Sequence, residues 1–143
     1  MALLLVHLTA TAVLAGLVWV VQLVVYPSFR LVGGGPSWPA FHAAHTRAVV
    51  LAVGPPWAVQ GVSVAALLVR DGPTPLLLLT GALALVTVAV TVAVSVPLHT
   101  RLGEAYDDGA ARRLVTTNWL RTAAWTAGTV CAALLVLQAA QVS

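Results

Sequence analysis

The chain has 143 residues, 60% hydrophobic and only 8% charged, against the roughly 25% charged residues of a soluble domain, so a water-soluble globule is excluded and an integral membrane protein is implied. Its seven basic residues, all arginine, against four acidic ones give a formal net charge of +3; they are dispersed over the ends of apolar segments, which leaves no basic patch and excludes nucleic acid as a partner. The lone cysteine, Cys131, excludes a disulfide framework and a CxxC redox pair.

Four apolar runs, each near the roughly 20 residues that carry a helix across the hydrocarbon core, predict an all-α integral membrane four-helix bundle of up-down-up-down order. The expected helices lie at about 3–25, 40–69, 76–96 and 110–140, in one transmembrane domain covering 1–143. The first run has no basic segment ahead of it and stays apolar beyond the length of a signal peptide, so it is read as a retained helix. Its polar and special residues, His7, Thr11, Ala15, Trp19, Gln22 and Tyr26, recur at three- and four-residue steps and form a stripe that faces the other helices, because polar side chains turned to hydrocarbon are costly. Pro27 is expected to end it, and Gly33-Gly34-Gly35-Pro36 to form an irregular connection.

The second run is longer than a bilayer needs and carries Pro55-Pro56, a predicted kink whose freed carbonyls suit a nearby cavity. It begins with His42, His45 and Arg47. Histidines three apart share one face of a helix, with Cβ atoms roughly 5–6 Å apart; an interfacial helix start with the imidazoles in headgroups is the plainer reading. In the third run Thr80, Thr87, Thr91 and Ser95 are read as close-packing residues, followed after Pro97 by His99. The fourth run enters polar, through Asn118, Trp119 and Arg121, and continues past Trp125 into a plainly apolar stretch. Arg121 either snorkels to the headgroups or meets an internal anion or substrate oxygen.

Arg30, Arg47, Arg101, Arg112, Arg113 and Arg121 fall at one end of the predicted bundle and only Arg70 at the other. The positive-inside rule makes the arginine-rich end cytoplasmic, with both termini outside, in a bacterial inner (plasma) membrane. At that end the alternation of helices gathers Gln22, Tyr26, His42, His45, Arg47, His99, Asn118 and Arg121 into one layer. His7 precedes Gln22 by fifteen residues, about 22 Å at 1.5 Å per residue, and is excluded from the layer; helix packing is its simplest role.

Two chemistries suit this layer. His42, His45 and His99 match a transition-metal centre, zinc, copper or iron by ligand type. Without metal, a neutral imidazole removes a proton from a phenol or activated carbon while Arg121 and Asn118 stabilise the oxyanion, Gln22, Tyr26 and Arg47 hold substrate oxygens, and Trp119 and Trp125 stack on a ring. No carboxylate lies in the apolar part of any helix, which disfavours a di-iron carboxylate cluster. The partners expected are a hydrophobic small-molecule substrate, the lipid bilayer and a second copy of the chain.

The segments VPLHTRL at 96–102 and NWLRTAAW at 118–125, in a four-span chain of this length, resemble the small membrane proteins grouped with the anthrone oxygenases. The resemblance implies oxygenation of an activated aromatic, such as a polyketide anthrone carbon, by an enzyme needing no organic cofactor, with His99, Asn118, Trp119 and Arg121 as pocket residues. The chain is also similar in size and span count to the small four-span protoporphyrinogen oxidases, which implies haem with His7 as an axial ligand. The non-enzymatic alternative is a scaffold or transporter subunit in which the polar layer locks the helices together; the lack of internal acidic residues and of a visible inverted repeat weighs against transport.

Overall fold

The computed structural model describes residues 1–142; Ser143, the last residue of the expected domain, lies outside them. The described residues form four long helices and no strand. Helix α1 spans Ala2–Val32, α2 Trp38–Asp71, α3 Pro75–Glu104 and α4 Asp108–Val142, and all four are long and apolar enough to cross a membrane. The connections are short, residues 33–37, 72–74 and 105–107, so consecutive helices run antiparallel.

Two helices outrun their expected ends, for the same physical reason. Pro27 was expected to close α1, and α3 was expected to end at about residue 96, just ahead of Pro97; proline lacks the N–H and its ring presses on the carbonyl four residues back. In each helix a wide π-helical turn, Val21–Val25 or Thr91–Ser95, ends two residues before the proline. The N–H of Tyr26 bonds the carbonyl of Val21, and that of Val96 the carbonyl of Thr91. The extra residue in the turn relieves the clash, and the helix continues for two further turns. It also shifts the register: buried Thr80 and Thr87 are seven apart, but Ser95 follows eight after Thr87, with buried Leu102 seven beyond it. Helix α2 continues through Pro55-Pro56 as unbroken α-helix.

Helix α1 packs along both α2 and α4, and α4 along both α1 and α3, whereas α2 and α3 touch far less. Three apolar clusters fill the bundle. Leu4, Leu67 and Leu77 meet at the end bearing the N-terminus, Leu14, Val18 and Trp125 at mid-height, and Phe29, Trp38, Leu102 and Leu114 at the arginine-rich end. At that end Gly33 lies so close to the Tyr106 ring that a Cβ would overlap it, which docks the α1–α2 connection on the α3–α4 turn. The turn is held by Asp107, whose carboxylate accepts from the Ala110 N–H at 2.6 Å and pairs with Arg101 at 2.5 Å. Asp108 pairs with Arg30 and Arg112.

Candidate functional site

The two residues that follow the π-helical turns most closely with chemistry, Tyr26 and His99, face each other inside the arginine-rich end. The Tyr26 hydroxyl lies 3.1 Å from His99 Nε2, and the other nitrogen of His99, Nδ1, lies 3.2 Å from His42 Nε2. A chain His42, His99, Tyr26 thus joins α2, α3 and α1. Direction of donation along it depends on the imidazole tautomers. His45, one turn beyond His42, lays its ring parallel to that of His99 (centroids 5.7 Å, 29°) and receives the edge of Phe29 (4.9 Å). Its Nε2 is buried and without a hydrogen-bond partner among the described residues.

A second chain converges from α1 and α4. The Gln22 side chain donates to the Val115 carbonyl at 3.1 Å and accepts from Asn118 Nδ2 at 2.9 Å; Asn118 Oδ1 in turn accepts from Arg121 Nη1 at 3.2 Å. The guanidinium stacks over Trp125 at 5.0 Å. Arg121 is 7% exposed and its Nε has no hydrogen-bond partner among the described residues, so it does not snorkel: a fixed cation is held inside the bundle. No carboxylate neutralises it there, because all four acidic residues sit in or beside the turns.

Both chains border one cavity of about 360 Å³ between α2 and α3. Tyr26, His45, His99 and Arg121 supply its polar end, and Val49, Val53, Gly54, Trp57 and Val96 its apolar walls, with Thr46, Val50, Thr91, Ser95 and Thr100 completing it. A fixed cation, a phenol and two imidazoles at the end of an apolar chamber can orient a flat substrate by its oxygens and hold negative charge developing on them.

Of the residues expected in the layer, Gln22, Tyr26, His42, His45, His99, Asn118 and Arg121 do come together. Three others are placed differently. Arg47 is exposed on the far side of α2, beside a shallow depression with Ala43 and Leu51, because residues two apart on a helix point about 200° apart and His45 already faces inward. Trp119 lies on the outer surface, 45% exposed, edge-on to Trp19 at 5.5 Å; its neighbours Asn118 and Arg121 take the inward face. Trp125 is buried behind Arg121, not in the cavity wall. The wall residue missed from sequence is Trp57, although His42, Thr46, Val49, Val53 and Trp57 follow three- and four-residue steps that pick out the face.

The three imidazoles do not form the expected metal centre in this arrangement. His42 and His99 turn nitrogens toward each other, but His45 offers its ring face to His99, and the second nitrogen of His99 is on Tyr26. Among the described residues no group of three or more His, Cys, Asp or Glu side chains is placed to hold a metal ion. His7 sits in the opposite half, fully buried, its Nδ1 2.9 Å from Ser63 Oγ, and lines none of the cavities described here. Comparison with protein-family profiles, curated protein sequences and solved structures finds no match to the chain, so the site is interpreted from its geometry.

Proposed function

We propose that the chain is a membrane-embedded oxidoreductase, an oxygenase of hydrophobic aromatic substrates of the polyketide type that carry a phenol or an enolisable ring carbonyl. The observation that carries this reading is the convergence of Tyr26, His45, His99 and Arg121 on one otherwise apolar cavity. The resemblance of the segments at 96–102 and 118–125 to the anthrone oxygenase-like proteins points the same way. In this reading the arginine-rich rim, by the positive-inside rule, supports a location of this end at the cytoplasmic face of a bacterial plasma membrane.

In this reading the substrate lies between α2 and α3 with its oxygen toward Arg121. The unpartnered His45 Nε2 accepts a proton from the activated ring carbon or phenol, and the guanidinium stabilises the resulting oxyanion. The work asked of each group is familiar in size: a positioned base contributes about 10²–10⁴-fold, and one oxyanion donor about 10²–10³-fold. The delocalised anion is then electron-rich enough to react with dioxygen. For an anthrone-type methylene the balance is one CH₂ and one O₂ giving one C=O and one H₂O; the carbon loses four electrons and dioxygen gains them. Asn118 and Gln22 position Arg121, and His42 and Tyr26 fix the plane of His99.

The test is dioxygen uptake by the purified chain in lipid nanodiscs supplied with an anthrone. Uptake matched one to one by anthraquinone formation, and suppressed in Arg121→Gln, supports the reading; a rate equal to that of empty nanodiscs overturns it. Metal analysis of the same preparation separates the two chemistries of the layer: activity that survives with no stoichiometric metal leaves base catalysis, while a metal lost together with activity in His99→Ala replaces it with a metal centre.

A further inference from the structure

Beside the cavity lies a second, larger hollow of about 730 Å³ between α2 and α3; Gly54 and Trp57 border both, and Gly61, Val64, Ala65, Leu68 and, across the gap, Gly81 and Leu85 wall the second. From Gly54 to Leu68 the hollow follows α2 for fourteen residues, about 21 Å at 1.5 Å per residue. Its width comes from missing side chains. A Cβ built on Gly54 or on Gly61, seven residues apart on one face, would meet nothing within 4 Å, and one on Gly81 would meet only Val64, at 3.9 Å. Small residues between transmembrane helices ordinarily let the backbones close together; here α2 and α3 stay apart and the space is left open. Only Gln60 contributes a polar side chain to this wall, and its amide is already engaged by Trp125 and Thr11.

We infer that the site takes an amphiphile made of an oxygen-bearing aromatic head and a single long aliphatic tail, the head at Arg121 and the tail running along the α2–α3 groove toward the opposite face. The inference rests on the proposed function for the head and adds the tail. Two independent features fix the occupant. The buried, incompletely satisfied guanidinium at one end of the groove demands an oxygen-rich head, and the groove leading from it is too narrow in chemistry for anything but hydrocarbon. A bulky two-chain lipid is disfavoured because the whole cavity at the polar end is only about 360 Å³, and Tyr26, His45, His99 and Trp57 line it with rings that suit a flat head. The tail also gives the substrate its route, since the same α2–α3 gap opens the chamber to the bilayer.

The test uses the full chain in phosphatidylcholine nanodiscs with two phenols that share a head, 4-dodecylphenol and 4-methylphenol. A bilayer concentrates the tailed phenol whether or not a groove exists, so each ligand is compared between wild type and variant. Gly61→Leu and Ala65→Leu fill the groove from positions that face it. Crowding the tail should weaken 4-dodecylphenol by about tenfold and leave 4-methylphenol unchanged, while Arg121→Gln weakens both. If the groove variants bind 4-dodecylphenol as tightly as wild type does, the tail assignment is overturned and the head reading stands on the Arg121→Gln result. If they instead change the mass of the assembly, a second copy occupies the groove and the assignment is likewise overturned. Failure of wild type to bind either phenol removes the head reading together with the tail.

Discussion

The bundle contains two buried polar regions, and the contrast between them separates architecture from chemistry. In the half bearing the N-terminus, His7, Thr11, Gln60, Ser63 and Trp125 bond one another across α1, α2 and α4: Ser63 to His7, Trp125 to Gln60, Gln60 to Thr11. His7 Nε2 has no hydrogen-bond partner among the described residues, but His7, Thr11 and Ser63 border none of the cavities. In the arginine-rich half, Arg121, Tyr26, His45 and His99 stand around a chamber, and Arg121 Nε and His45 Nε2 are buried without a hydrogen-bond partner among the described residues. One cluster spends most of its hydrogen-bonding capacity on holding helices together; the other surrounds open space. Polarity inside a membrane helix is therefore a weak sign of function until it is known whether the groups are spent on one another.

Substitutions that act on one region and spare the other test this division. The largest effect is expected from His45→Phe, which keeps an aromatic ring between Phe29 and His99 and removes both ring nitrogens. Turnover should fall about 10²–10⁴-fold with substrate affinity little changed, measured as separate kcat and KM for dioxygen uptake. An equal loss in both would mean the ring shapes the pocket and takes no proton. In the closed cluster the order reverses. Ser63→Ala should cost about 0.6 kcal/mol of stability, the mean for an interhelical hydrogen bond in lipid, seen in reversible unfolding, while phenol binding stays as in wild type. A change in binding would show that the two regions are coupled.

The smallest effect lies outside both, at the α3–α4 turn. The Ala110 N–H and then Arg101 hold the Asp107 carboxyl below the usual carboxylate range. A group depressed in the folded state stabilises the fold above its unfolded pKa and loses that contribution as pH falls through its folded one. Stability should therefore decline on acidification below the normal aspartate range, and Asp107→Asn should flatten that part of the profile without altering phenol binding at neutral pH. An unchanged profile in the variant would remove Asp107 from the account of the turn.

Much of this organisation is legible in the residues. Four spans follow from apolar run length alone, and the gathering of Gln22, Tyr26, His42, His45, His99, Asn118 and Arg121 follows from the alternation of helices. What height along the membrane does not supply is angle around each helix: Arg47 and Trp119 sit at the right level and on the wrong face. Prolines mislead for a related reason. Read singly, Pro27 and Pro97 stop a helix; the π-helical turns that accommodate them have no residue signature, yet they carry Tyr26 and His99 into place. The α2–α3 groove was hidden because a wall facing a groove and a wall facing lipid are equally apolar, so hydropathy offers no contrast. The glycines at 54, 61 and 81 were its only trace.

The central claim is that Arg121 and its neighbours receive a phenolic oxygen and favour its anion. The most direct measurement is the visible spectrum of 4-nitrophenol bound to the protein in nanodiscs, at a pH where the free probe is mostly protonated. The account predicts that the bound probe carries the yellow phenolate band and that Arg121→Gln abolishes it. A bound probe that stays colourless, or a band that survives in Arg121→Gln, would contradict it.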